Sequence, residues 1–268
     1  MRGRKRLLTK ESLKSKKNSL LSYGAWAMVF LLWTIYTIVL KRESVMIPSP
    51  IRVWETFISI ARGGYSGILF SHHLRASFVR LFLSLLLGFT TAVPLGFLSG
   101  YSQKIRSLVD SFIQFYRPIP PLAYYPLLIL WMGIDDRSKI MLLFLAAFAP
   151  IYIACVSAIG NIRKDYILSA KSLGASPRKI LLNIIWPACL PEIFTGLRNA
   201  FGFAYTTLVA AEMTAATSGI GWMVIDASRY LKSDVMFVGI FIMGLSGLII
   251  DKAMLYVEKN LVFWKGRG

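Results

Sequence analysis

The feature that most limits this chain is a series of apolar runs, each near the ~20 residues an α-helix needs to cross the hydrocarbon of a bilayer. Lipid offers no partner to a free N–H or C=O, so such a run spans only as a helix that bonds its own backbone. Residues 20–40, 74–100, 107–131, 139–160, 190–213 and 236–256 read in this way. Composition agrees: 56% of the 268 residues are hydrophobic and only 16% are charged, too apolar for a water-soluble domain of this length. The expected class is all-α, a polytopic membrane protein of about six transmembrane helices. Its expected segments are a basic tail at 1–20, a first span with an outer amphipathic stretch at 21–73, a core membrane domain at 74–257 with a polar loop at 161–187, and a second basic tail at 258–268.

The net charge of +18 would suit nucleic acid if the cations formed one face. They sit instead in the tails and in the connections between apolar runs, and no aromatic-basic motif accompanies them. The expected partner is therefore the lipid bilayer, with no nucleic acid. One side of the bundle collects the N-terminal cations, Lys104, Arg106, the cations of the 161–187 loop, Lys259, Lys265 and Arg267; the other carries Asp135, Asp136, Asp226 and Asp234. The positive-inside rule assigns the first side, with both termini and the loop, to the cytoplasm. The expected location is a bacterial cytoplasmic (inner) membrane. The run at 20–40 follows a basic stretch as a signal peptide's would, but it is long enough to span and lacks a small-residue cleavage site, so it reads as a retained helix.

Several stretches depart from plain spans. The prolines of IPSPIRVWETF argue for an extended approach, followed by a short amphipathic helix over 53–61 at the outer interface. Gly88, Pro94 and Gly96 interrupt the second span, where neighbouring helices can satisfy the freed backbone. In YRPIPPLAYYPL, within the third span, Pro118, Pro120, Pro121 and Pro126 cannot all lie in an undisturbed helix. Two readings stay open there: a kinked helix start at the inner interface, or the inner mouth of a pathway. Residues 133–138 form a tight outer turn, 214–235 an outer segment whose apolar part dips back, and Gly239 and Gly244 offer close helix packing in the sixth span.

No catalytic constellation is present. A glycine-rich phosphate loop ending in Lys-Ser/Thr is missing, so the chain should not bind ATP itself. His72 and His73 are adjacent, lack ligand spacing and read as interfacial polar residues; no metal and no cofactor are expected. Cys155 and Cys189 flank the loop on the reducing side, which argues against a disulfide. Charges inside spans are expensive and mark cavities or interiors. They read as confined almost wholly to the fifth span, as Arg198 and Glu212, too far apart along a helix to pair. These two, with Tyr124, Tyr205 and Thr206, are candidate pathway or gate residues; ordinary packing is the alternative for each.

The stretch 161–191 is the one long polar interruption that is not a simple turn. Asp165 to Leu173 reads as a helix, Gly174 as a residue free to take positive φ, and Ser176-Pro177 as the N-cap and first residue of a second helix ending at Pro187. Arg163, Lys164, Lys171, Arg178 and Lys179 surround it. Charge and periodicity leave a basic membrane-facing loop and a docking surface equally open. The spacing of Ala170, Gly174, Ile184 and Pro187 resembles the EAA loop of ABC-importer permeases, which docks into the cytoplasmic ATPase. The family's glutamate position is Leu168, its first alanine Ser169, and the leucine before the proline Trp186. On this resemblance Leu168, Ser169, Ala170, Lys171, Ser172, Leu173, Gly174, Ala175, Ser176, Pro177, Arg178, Ile184 and Pro187 form the coupling surface.

From about residue 116 onward, YRPIPPLAYYPLLILWMGI, SAKSLGASPRKI, LPEIFTGLRNAFG and LVAAEMTAATSGIGWM resemble the permeases of the nitrate, taurine and aliphatic-sulfonate importers, taurine permeases above all. The resemblance implies a type I importer fold, like that of a methionine permease. It also implies a homodimer of this chain, two copies of an ABC ATPase subunit, and an extracytoplasmic substrate-binding protein. The chain would be a non-catalytic pathway subunit for a small sulfonate such as taurine, with nitrate, another alkanesulfonate or a thiamine precursor as alternatives. From another class, an ion-coupled carrier or channel would show charges in several spans and often internal repeats; a membrane enzyme would need reactive residues that are missing.

Overall fold

The computed structural model describes residue 21 and residues 24–40 and 44–264. The basic tail at 1–20 and the end of the second tail at 265–268 lie outside the described residues. Among those described there are ten helices: α1 (Gly24–Val39), α2 (Pro50–Gly63), α3 (Phe70–Tyr101), α4 (Gln103–Tyr116), α5 (Pro121–Met132), α6 (Asp136–Gly160), α7 (Lys164–Ser172), α8 (Pro177–Ala215), α9 (Ile220–Arg229) and α10 (Ser233–Leu261). Four of them, α3, α6, α8 and α10, are long and apolar enough to cross a membrane, and α1 and α5 are shorter apolar helices.

The core is α3, α6 and α8, and small residues set how closely they meet. A Cβ on Gly96 of α3 would sit 2.5 Å from the Cβ of Cys155 on α6 and 3.3 Å from the Tyr152 carbonyl. One on Gly196 of α8 would collide with Ala154 and lie 3.1 Å from the Pro150 carbonyl. In lipid, where apolar side chains gain nothing by leaving the solvent, such backbone-to-backbone approach supplies the dispersion contact that holds helices together. These contacts fix direction too. Gly88 faces Ala147 and Gly96 faces Cys155, so α3 and α6 run parallel, and α8 runs against both, with Gly196 at Ala154 and Glu212 at Arg80.

Parallel α3 and α6 require a return between them, and α4 with α5 supplies it. The sequence suggested one span over 107–131; the structure breaks it at Arg117–Pro120 into the amphipathic α4 and the apolar α5. Pro120 is the N-cap of α5 with Pro121 at its first position, where the lost N–H would have had no intrahelical partner. Pro126 is accommodated inside α5.

A second correction concerns Pro187. The helix begun at Pro177 does not stop there but continues as α8 to Ala215. A π-helical turn over Leu181–Ile185 shifts the hydrogen-bond register, with Trp186 N–H bonded to the Leu181 carbonyl, and Pro187 falls in the first turn of the α-segment that follows. The second helix of the loop and the fifth span are thus one continuous helix. Cys155 and Cys189 are free, buried thiols.

A smaller cluster forms beside the core. Ser49 caps α2, accepting from Arg52 N–H at 3.4 Å, and Pro50 starts it, earlier than the 53–61 expectation. Val53 and Ile60 pack with Ile220, Met223, Val235 and Val238 of α9 and α10. Trp33 of α1 stacks on Phe237 at 5.5 Å and donates its Nε1–H to the Pro48 carbonyl at 3.0 Å. The apolar part of 214–235 does fold back, as α9. Gly239 takes the side chain of Val224 against its backbone, whereas Gly244 faces open space.

Candidate functional site

At the end of the bundle where α3 and α6 start and α8 finishes, a polar cluster is sealed into the core. Arg80 Nη1 lies 2.7 Å from Glu212 Oε1, and both side chains are almost wholly buried. Arg80 Nε and Nη2 each reach Asp136 Oδ1 at 2.8 Å, and Nη1 also donates to the Ser218 carbonyl at 2.8 Å. Ser77 donates to Glu212 Oε1 at 2.7 Å and accepts from Ile220 N–H at 3.0 Å, while Gly221 N–H donates to Glu212 Oε2 at 2.9 Å. A buried carboxylate is tolerable only when paired and hydrogen-bonded in this way.

The segment between α8 and α9 is shaped around that carboxylate. Gly219 has φ +131°, and a Cβ there would overlap the Glu212 carboxyl group. His73, read from the sequence as an interfacial residue, is fully buried: its ring stacks on Trp222 at 5.5 Å and its Nδ1 accepts from Gly219 N–H at 3.2 Å. The adjacency of His72 and His73 hid this, because only one of two neighbouring helix positions can face the core. Beside the cluster, Tyr65 donates to Asp226 Oδ2 at 3.0 Å; burial, then that bond, raises its hydroxyl above the ordinary tyrosine range.

A groove runs along the other half of the bundle, between the α4–α5 return and the faces of α6 and α8. Its two parts, about 550 and 800 Å³, share Arg117, Pro118, Ile153 and Ser157. Tyr124, Glu192, Thr195, Asn199 and Thr206 line the smaller part. In the larger part Asp110 is held by Arg106 at 3.4 Å and by the Tyr152 hydroxyl at 3.0 Å.

The structure therefore divides the five pathway or gate candidates. Tyr124 and Thr206 share the groove. Arg198 pairs with Asp251 of α10 at 3.0 Å, and the Tyr205 hydroxyl bonds the Met243 carbonyl at 2.8 Å and Ser246 at 2.7 Å, so both tie α8 to α10. Glu212 belongs to the buried cluster. Intramembrane charge is not confined to the fifth span: Arg80 lies in α3 and Asp251 in α10. The sequence contained the signal, since an arginine inside an apolar run needs a counter-charge, and Glu212 was an acid with no partner assigned to it.

At the opposite end, α7, Gly174 and the start of α8 form an exposed surface. Gly174 has φ +78°; Gly174 N–H bonds the Lys171 carbonyl at 2.9 Å and Ala175 N–H the Ala170 carbonyl at 3.0 Å, closing α7 with a glycine turn. Ile167, Ala170 and Ala175 pack toward the core, leaving Leu168 and Leu173 exposed among the cations, Leu173 at 87%. Ile184 lies in the π-turn.

The chain matches the family described as binding-protein-dependent transport system inner membrane component over residues 92–262. It belongs to that family. This permease is 36% identical over 247 residues to the taurine transport system permease protein of Escherichia coli (strain K12), covering 92% of this chain and 90% of that protein. It is 32% identical over 239 residues to a putative aliphatic sulfonates transport permease protein of Bacillus subtilis (strain 168), covering 89% and 85%. Its fold is shared with the methionine ABC transporter MetNI solved in inward-facing conformations, at a TM-score of 0.61 and 18% identity, over 69% of this chain and 93% of that one. It is a multi-pass inner-membrane permease of an ABC importer in the taurine, sulfonate and nitrate family, non-catalytic, and its class works with an ATPase and a binding protein.

Removing one member of the buried pair leaves the other charged and unpaired, so Arg80→Met should destabilise the permease by ~3–5 kcal/mol. The double change Arg80→Met/Glu212→Met should cost clearly less than the sum of the single changes. Unfolding of the purified variants in detergent checks both, and additive losses would mean that the two side chains act independently.

Proposed function

We propose that this permease carries a small organic sulfonate, taurine above others, across the inner membrane as a homodimer driven by two ATPase subunits. The supporting observation is similarity to a taurine permease along nearly the whole of both chains. A sulfonate is a permanent anion at neutral pH, so its route must offer donors or a cation without holding it tightly. The groove has a suitable donor in the Tyr124 hydroxyl; Thr206 lines it too, with its hydroxyl donated to the Gly202 and Phe203 carbonyls of its own helix. Arg198, Tyr205 and Glu212 serve beside it, holding the helices that form its walls and the closed end of the bundle.

Coupling follows the exposed loop. Residues 168–178 receive the ATPase, and the side facing it is the cytoplasm, with both termini. Because α8 is continuous from Pro177, movement of the loop is carried along α8 through Ile184 and Pro187 into the bundle. Substrate recognition rests mainly on the binding protein, and the pathway alternates between two states.

Orientation is checked by thiol labelling of intact cells with an impermeant reagent. A cysteine replacing exposed Ser66 is expected to react and one replacing Lys171 to stay protected; the reverse pattern inverts the topology. Cys155 and Cys189 are buried, which keeps the background low.

Gly174→Val tests the docking turn. There is room for a side chain at Gly174, with nothing within 4 Å of a Cβ, so the penalty is conformational: a β-branched residue at φ +78° is strained by about 1–3 kcal/mol. The variant should insert normally yet recover less ATPase on purification and transport more slowly. Unchanged transport at normal expression removes the turn from the coupling path.

The substrate is tested by deleting the gene and measuring uptake from low concentrations of taurine as sole sulfur source. Loss of taurine uptake is the expected result. Unchanged taurine uptake with loss of nitrate, another alkanesulfonate or a thiamine precursor would reassign the substrate within the class.

A further inference from the structure

The arginines within the bundle differ in one respect. Arg80 is neutralised by Glu212 and Asp136, Arg106 by Asp110 and Arg198 by Asp251. Arg117, at the break between α4 and α5, has no carboxylate within ion-pair distance among the described residues, and it is the cation common to both parts of the groove. Arg75 and Arg137, also unpaired, sit close to helix starts, where a long side chain reaches the interface. The prolines beside Arg117 remove backbone donors, so the guanidinium is the strong donor at the break.

The smaller part of the groove also holds a group of opposite sign. Glu192 accepts from Asn161 Nδ2 at 3.0 Å through Oε1, while its Oε2 is buried and has no hydrogen-bond partner among the described residues. A half-satisfied carboxylate and an unpaired guanidinium thus line one cavity of about 550 Å³ without bridging to each other. Arg117 is exposed to the groove and free to meet an anion, whereas Glu192 Oε2 is buried without a partner and is costly as it stands; a ligand carrying both charges would pair the first and, with a turn of the Glu192 side chain, satisfy the second.

We infer that Arg117 and Glu192 form a waypoint for a zwitterion, the guanidinium taking an oxyanion end and the Glu192 carboxylate an ammonium end, so that aminosulfonates are preferred over sulfonates lacking an amine. This inference rests on the proposed transport of a small sulfonate and adds selectivity within the permease. Asn199, on the same wall as Glu192, adds a polar group, while the Thr195 hydroxyl is donated to the Pro191 carbonyl of its own helix.

The test uses the purified permease–ATPase complex with Thr195→Cys, a groove-lining position, reacted with a thiol reagent; the buried native thiols supply the background. Taurine should slow the reaction at lower concentration than ethanesulfonate or ethylamine. With Arg117→Gln the half-protecting taurine concentration should rise about tenfold or more, as expected for losing a charge-assisted hydrogen bond, with partial rescue in Arg117→Lys. Glu192→Gln should abolish the advantage of taurine over ethanesulfonate while leaving protection by ethanesulfonate unchanged, a selectivity that a purely structural role would not produce. Equal protection in wild type and both variants overturns the waypoint. So does protection by anionic lipid vesicles alone, which would make a headgroup phosphate the occupant of Arg117. Cellular taurine uptake separates the failures: if it depends on the gene but protection does not depend on Arg117 or Glu192, only the waypoint is wrong.

Discussion

Close contact between α3, α6 and α8 is the constraint on which the rest of this permease depends. Lipid is as apolar as leucine, so these helices associate through dispersion and polar contacts, and dispersion falls off steeply with separation. Gly96 against Cys155 and Gly196 against Ala154 allow backbone and side chain to touch. With α8 drawn in against α6, its far end brings Glu212 beneath Arg80 and beside Ser77. Apolar packing and the buried charge cluster are therefore successive consequences of the same approach.

The cluster in turn organises the segment after α8. Glu212 collects a guanidinium, a hydroxyl and a backbone N–H, and the Gly219 turn wraps closely enough that no side chain would fit. His73 completes the seal by receiving Gly219 N–H while stacking on Trp222. Such a network is demanding: each member is costly to bury unless the others are present, which favours one arrangement of helices over near alternatives.

Between that cluster and the exposed loop runs α8, 39 residues from Pro177 to Ala215, or about 58 Å at helical rise. On the proposed reading of the loop as the ATPase contact, one helix joins the driven surface to the sealed end and forms a wall of the groove on the way. The π-turn at Leu181–Ile185 is one irregular point on this path, and Pro191, inside the helix, is another. The π-turn lets Pro187 sit in a helix that the sequence appeared to end, and π-turns frequently accompany functional positions because they leave the local hydrogen-bond register adjustable.

Much of this was legible in residue order. Spans follow from apolar run length and the turn at Gly174 from a glycine between two helical stretches, because each depends on local chemistry or on the bilayer as solvent. The two-helix return at 107–131 was half visible: its prolines demanded a break, but whether that break bent one helix or separated two depended on what packs beside it. Partner choice was not legible. Arg80 and Glu212 are 132 positions apart, Arg198 and Asp251 53, and nothing local says which charges will meet once helices are aligned in depth and rotated about their axes. For the same reason Tyr205 and Thr206, neighbours in sequence, part company in space, one bonded to α10 and the other facing the groove. The sequence by itself determined a bundle of membrane helices with a basic helix–glycine–helix loop. Tertiary structure alone decided which charges cancel and which remain open to the groove, because that pairing is a property of distances between helices.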